Sequence, residues 1–230
     1  MNAKAESKKD LVIIGNSEIA SMAYEYFLHD SSYRPVGFAI GRNYIQSDTF
    51  EGLPLIDIEA VVERFPPTEV SAFVAIGDSQ LNRVRARHYS LMKAKGYELA
   101  SYVSSRAFVW HNVKVGENCF ILEDNTLQPF VEVGNNVILW SGNHIGHRSV
   151  IEDHVFVTSH VVISGFCRIG TYSYLGVNAA IGNNVDIARD NYVGMSASIA
   201  SSTQPDLIYQ GNPAEARKVA ATRFCRVKDE

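Results

Sequence analysis

The sequence predicts a chain of two parts: an α/β unit over residues 11–104, then a parallel β-helix over residues 105–202. Three observations predict it. Apolar strand-like runs alternate with amphipathic helical runs as far as about residue 103. From Ala107 the period becomes six and holds to Ser202 without an insertion. The composition, 46% hydrophobic and 20% charged, is that of an ordinary globular chain with enough apolar residues to fill two cores.

Residues 1–10, MNAKAESKKD, are polar and read as a disordered tail. LVIIG (11–15) reads as a buried strand and SEIASMAYEYFLHD (17–30) as an amphipathic helix. PVGFAI (35–40) is a second strand, DIEAVVERF (57–65) a short helix and VSAFVAIG (70–77) a third strand. A long helix is expected from Asp78 to Lys95, stopping near Gly96, with ELASYVS (98–104) closing the series. Near-continuous apolar strands between helices imply a parallel sheet covered on both faces, a Rossmann-like arrangement. The segment 203–230 reads as a short helical tail, with Arg217, Lys218, Arg223 and Arg226 at helical spacing.

Set in register, residues 107–202 make sixteen hexads, AFVWHN, VKVGEN, CFILED and so on to ASIASS. The third position is Val, Ile or Leu in all sixteen, and the first is always Ala, Val, Cys, Asn or Ser. Three hexads close one triangular coil, with the aliphatic position pointing inward and the narrow position beside it. Stacked at strand spacing, the coils make a prism about 25 Å long. Each buried aliphatic contributes on the order of 1.5–3 kcal/mol before ordering entropy is subtracted. A slip of one residue exposes all of them, so the register is strongly specified. Asn125 and Asn143, eighteen residues apart, are expected to stack as an amide ladder.

The net charge of −4 argues against a nucleic-acid or membrane binder, because phosphate surfaces call for clustered cations. No stretch has the length of a membrane span, and the first apolar run is too short for a signal segment. Cys119, Cys167 and Cys225 show no CxxC pairing and read as reduced thiols of a cytoplasmic protein. Among His144, His147, His154 and His160, no two lie five or eighteen apart, so no metal site is expected. The turn GNSEIA after the first strand lacks the full GxGxxG pattern, which removes the case for a dinucleotide.

The remaining candidate for chemistry is His147, in NHIGHRSVIEDHVF. Gly165 stands eighteen residues on, one coil along the prism and therefore about 4.8 Å away. With the early turn IIGNSEIA, the segment AIGDSQLNR, the hexads and the terminal Gly211-Asn212-Pro213-Ala214, the chain resembles the bacterial sugar O- and N-acyltransferases of the PglD and NeuD type. The resemblance covers nearly the whole length. It implies a left-handed coil, a homotrimer, acetyl-CoA as co-substrate and a nucleotide-linked sugar as acceptor. It makes His147 the general base and the Gly165 N–H the donor to the thioester oxygen. It assigns Gly211, Pro213, Ala214, Arg217 and Lys218 to CoA, and Gly15, Asn16, Ser17, Gly77 and Asp78 to the nucleotide sugar.

The reaction so implied is direct transfer. The imidazole takes a proton as the sugar amine attacks the thioester, and no Ser or Cys is placed to form a covalent intermediate. An O-acetyltransferase of a sugar hydroxyl and a non-catalytic assembly β-helix are the alternatives. The chain departs from the family at three points. Arg148 follows the base where an acidic residue is common, leaving Glu152 or Asp153 to orient the ring. Phe156 replaces a second histidine. Ile40-Gly41-Arg42 stands where relatives carry an acidic residue.

Overall fold

The structure is a computed structural model, and it describes residues 8–228. It divides into two compact units, one of residues up to 76 with 88–100, the other of residues 77–87 with 101 onward. A single break after residue 104 therefore does not describe the chain. Among the described residues, no helix is long and apolar enough to cross a membrane.

The first unit is a five-stranded sheet in the order β3-β4-β2-β1-β5, built from β1 (Lys9–Ile14), β2 (Tyr33–Ile40), β3 (Thr49–Phe50), β4 (Leu53–Asp57) and β5 (Ser71–Val74). β4, β2, β1 and β5 are parallel, and β3 alone runs antiparallel. Leu11, Val12, Ile13 and Ile14 are buried, and Phe27 of α1 (Glu18–His29) packs its ring 5.0 Å from Phe73 of β5. The strand begins at Lys9, so the expected tail to residue 10 is too long by its last residues; residues 1–7 lie outside the described part. The β3–β4 hairpin has no counterpart in the sequence reading. Its turn is Glu51-Gly52, both at positive φ (48° and 73°), which suits the twist of a tight hairpin. The expected helix over 57–65 is a 3₁₀ turn, Ile58–Ala60, running into α2 (Val61–Arg64), and the Asp57 carboxylate accepts from the Glu59 N–H at its start.

The helix expected from Asp78 occupies only Arg83–Ala94 (α3). Gln80, Leu81 and Asn82 take φ values of 56°, 49° and 68°, a left-handed run that an α-helix cannot contain. Packing within the second unit outweighs helix propensity here. Leu81 is buried against Ile208 and Ala221, and the Asn82 amide donates to the carbonyls of Tyr172 (2.9 Å) and Ser173 (3.3 Å). Arg85 follows, fully buried, donating to the carbonyls of Gly77, Asn136, His154 and Val155. Burial pulls its pKa down to about 9.

The prism is as the repeat predicts. Two-residue rungs recur every six residues and pair in parallel with the rung eighteen residues on, as in Leu127 with Ile145 and Val133 with Ile151. The stacked parallel sheets fit a left-handed β-helix. From Ile121 to Ile199 every third-position aliphatic is at most 3% exposed. Tyr102–Val103 pairs with Phe120–Ile121, so the register reaches one hexad further upstream than expected, into ELASYVS. The start of that segment belongs to the first unit, where Leu99 bridges Ala72, the Ala72 N–H donates to the Glu98 carbonyl and the Ala100 N–H donates to the Ala72 carbonyl.

Two expectations need correction. Asn125 and Asn143 do not form a ladder, because both turn their amides onto the Trp140 carbonyl at the coil corner. The amide ladder runs elsewhere, from Asn118 to Asn136 (2.9 Å) and from Asn136 to His154 Nδ1 (2.9 Å). The C-terminal segment is a hairpin rather than a helical tail. β6 (Leu207–Gly211) adds in parallel to Tyr192–Val193, and β7 (Ala214–Ala220) returns antiparallel before a single turn, α4 (Ala221–Phe224). Gly211 at φ 100° and Pro213 make the reversal, and a proline cannot sit inside a helix without breaking it.

Candidate active site

Every corner of the prism turns on a residue in the left-handed region, recurring at the sixth hexad position from Asn118 to Ser196. Asn and Asp tolerate that conformation, and several corners use them. At one corner the sixth-position residues are instead Phe130, Arg148 and Phe166, stacked one coil apart. Here lies His147. Its exposed ring meets Phe166 edge-on, with centroids 5.0 Å apart.

The repeat arithmetic places Gly165 one coil from His147, and the structure brings the two together. A Cβ built on Gly165 would lie 2.7 Å from His147 Nε2 and 2.6 Å from Cε1. Any side chain at 165 therefore displaces the imidazole. The Gly165 carbonyl accepts from Asn184 N–H. Its own N–H makes no hydrogen bond among the described residues.

What holds the ring is neither Glu152 nor Asp153. The Glu152 carboxylate accepts from the N–H and hydroxyl of Thr171 (2.9 Å each) and pairs with Arg168. Burial pushes its pKa up, and these bonds and the guanidinium more than reverse that, holding it below the usual carboxylate range. Asp153 accepts from the Asn135 N–H at 2.7 Å. The partner of His147 is Gln128. Its Oε1 lies 2.9 Å from the His147 backbone N and 3.1 Å from the ring Nδ1. Sequence reasoning misses Gln128. Its signal is positional, since Gln128 precedes Gly146 by eighteen residues and so sits one coil below the residue before His147. Arg148 lies over the Phe130 ring, its guanidinium carbon 4.3 Å from the centroid.

The other histidines are differently placed. His154 is stacked on Tyr172 (4.9 Å), and burial drags its pKa down to about 4, so it is neutral and structural. The exposed His160 ring covers Gly142. Among the described residues, no group of three His, Cys, Asp or Glu is placed to hold a metal ion.

The remaining sequence candidates fall on separate elements. Gly15, Asn16 and Ser17 join β1 to α1, with Gly15 at φ 137°; a Cβ there would meet the Ala75 carbonyl oxygen at 2.6 Å, so only glycine fits. Gly77 and Asp78 follow β5 and belong to the second unit. Gly211, Pro213 and Ala214 form the turn of the terminal hairpin, with Arg217 and Lys218 on β7 and Arg217 bonded to Gln210 (2.7 Å).

Residues 112–147 match the family model described as bacterial transferase hexapeptide (six repeats). Over 46% of this chain the sequence is 29% identical to the acyl-[acyl-carrier-protein]–UDP-N-acetylglucosamine O-acyltransferase of Gloeothece citriformis (strain PCC 7424). The match spans 40% of that relative's length. In fold the chain is similar to the acetyltransferase domain of PglB from Neisseria gonorrhoeae FA1090, with a TM-score of 0.81 at 19% identity over 91% of this chain and 100% of that one. It is equally similar to a histidine-to-asparagine variant of perosamine N-acetyltransferase from Caulobacter crescentus, in complex with CoA and GDP-perosamine. There the TM-score is 0.81 at 21% identity, covering 90% of this chain and 96% of that one.

Proposed function

This chain carries the bacterial transferase hexapeptide, and from that premise we propose that it is an acetyl-CoA-dependent N-acetyltransferase acting on the amino group of a nucleotide-linked amino sugar. The observation that carries the reading is the pairing of His147 with Gly165 across one coil. It sets a ring nitrogen and an uncommitted backbone N–H around the space that a thioester carbonyl would enter. Two fold neighbours support it, the acetyltransferase domain of PglB and a perosamine N-acetyltransferase variant in complex with CoA and GDP-perosamine.

The acceptor nitrogen attacks the thioester carbon, and the carbonyl electrons move to oxygen, where the Gly165 N–H donates to the developing charge. Collapse of that intermediate breaks the C–S bond and releases the CoA thiolate. The proton shed by the nitrogen passes to His147 and on to the sulfur, so no net charge accumulates on the protein. Arg217 and Lys218 of the terminal hairpin are the groups proposed for CoA phosphate, with the Gly211-Asn212-Pro213-Ala214 turn beside them. Gly15, Asn16 and Ser17, at the start of α1 in the first unit, are proposed for the sugar nucleotide. His147 is exposed in the single chain, and the coil corner needs a neighbour to exclude water, which is the case for a homotrimer.

The test is thiol release from acetyl-CoA in the presence of UDP-, GDP- and dTDP-linked amino sugars. The expected result is release with one of them, reduced roughly 10²–10⁴-fold in His147→Ala. A fully active His147→Ala protein removes the assignment of the base. Transfer to a sugar hydroxyl is the second reading, because the relative from Gloeothece citriformis is an O-acyltransferase.

A further inference from the structure

We infer that Gln128 is the positioning residue of the base, and that a neutral amide in this place restricts the acceptor to an amine. The inference rests on the transferase reading above and refines it. The Gln128 side-chain atom 2.9 Å from the His147 backbone N–H is an acceptor, and so it is the amide oxygen. The same oxygen lies 3.1 Å from the ring Nδ1. An amide oxygen cannot donate, so the proton of the neutral ring sits on Nδ1. Nε2 then carries the lone pair, on the ring edge that faces Gly165. One half-buried side chain, bonded twice to the same residue, sets both the rotamer and the tautomer of the base.

The two carboxylates nearest in sequence are committed elsewhere, Glu152 to Thr171 and Arg168, Asp153 to Asn135. Arg148 is turned onto Phe130. The imidazolium that forms on proton uptake therefore has an amide dipole behind it instead of a negative charge. That difference sorts nucleophiles. A hydroxyl oxygen has to give up its proton as it attacks, and an imidazole base for that step is ordinarily backed by a carboxylate that stabilises its charged form. A neutral amine attacks with its own lone pair. It sheds a proton only after the C–N bond has formed, from an ammonium centre acidic enough for an unassisted imidazole. The balanced step is amine plus thioester to amide plus thiol, with the proton travelling from nitrogen through Nε2 to sulfur.

The experiment uses the full chain and two independent readouts. Long-range ¹⁵N–¹H correlation spectra of the histidine rings, with His147 assigned by its absence in His147→Asn, report the tautomer without any substrate. Wild type is expected to be protonated at Nδ1, and Gln128→Ala to lose that preference with its melting temperature held. Protonation at Nε2 in wild type, or an unchanged tautomer in Gln128→Ala, overturns the positioning role. Second, the accepted nucleotide amino sugar is compared with its matched hydroxyl analogue. The amine is expected to be favoured by about 10³-fold or more, and Gln128→Glu to narrow that ratio at least tenfold by placing a carboxylate behind the ring. Comparable rates on amine and hydroxyl overturn the amine restriction. Acetylation of neither acceptor by a protein whose ring is protonated at Nδ1 defeats the transferase reading and the amine restriction with it, while leaving Gln128 as the partner of His147.

Discussion

The prism and the segment 77–87 lie in the same unit, yet one is written plainly in the sequence and the other is nearly illegible. The prism repeats one decision. Each third-position aliphatic faces the same interior, and the rungs copy each other's register, so many weak signals add in phase. The segment 77–87 makes each decision once. Three consecutive left-handed residues, one buried asparagine and one buried arginine are fixed by carbonyls that come from residues 136, 154, 155, 172 and 173, far away in sequence. Its local propensity is helical, and tertiary contacts overrule it. Periodic structure can be read from the sequence, whereas structure fixed by single long-range hydrogen bonds has to be seen.

The contrast can be broken at several strengths. Ile151→Asp places a carboxylate in the fully buried interior of the prism, with no partner there, and is expected to abolish the folded state rather than shift it; circular dichroism melts decide. Gly165→Ala tests the site without testing the fold. The three atoms nearest the new methyl all belong to the exposed imidazole, so the expected result is at least a 10²-fold loss of transfer with the melting temperature nearly unchanged. A large fall in stability instead means that the glycine is there for the coil.

The ladder ending at His154 gives a pH test. Burial lowers the His154 pKa from 6.5 to about 4 in the folded chain. Above pH 6.5 the ring is neutral in both states. Below it the unfolded chain takes up a proton that the folded chain refuses, so stability is lost as pH falls from about 6.5 to 4. The loss amounts to about 3 kcal/mol at most. Denaturant melts across that window should show the loss, and His154→Gln should flatten it. Asn82→Ala removes two donated bonds and a residue suited to the left-handed region, for about 1–3 kcal/mol. Least of all, Lys114→Ala breaks the exposed pair with Glu132, and a change above about 1 kcal/mol would contradict the view that such surface pairs contribute little.

The same contrast explains how far the candidate site is legible. The partnership of His147 and Gly165 follows from counting eighteen along a regular coil, and the amino-acid order alone shows it. Gln128 obeys the same arithmetic but carries no residue-type signal, since glutamine on a coil is ordinarily solvent-facing. The expectation of an acid near the base points to Glu152 and Asp153, which instead bond to the neighbouring coils, Glu152 to Thr171 and Arg168 and Asp153 to Asn135. The amide ladder is expected in the narrow column at Asn125 and Asn143, whereas it forms at Asn118, Asn136 and His154, where the corner geometry lets side chains face each other. The terminal hairpin is hidden by the helical spacing of its cations. Only the reversal at Gly211 to Pro213 shows why those residues lie on a strand.

We propose that His147 and Gly165 transfer an acetyl group to an amino sugar. The most direct measurement is mass spectrometry of nucleotide-linked amino sugars incubated with acetyl-CoA and either the wild-type chain or His147→Ala. One acceptor is expected to gain a single acetyl group on nitrogen with the wild type and to remain almost unmodified with the variant. Acetylation by both proteins at equal rates, or by neither across the panel, would contradict the proposal.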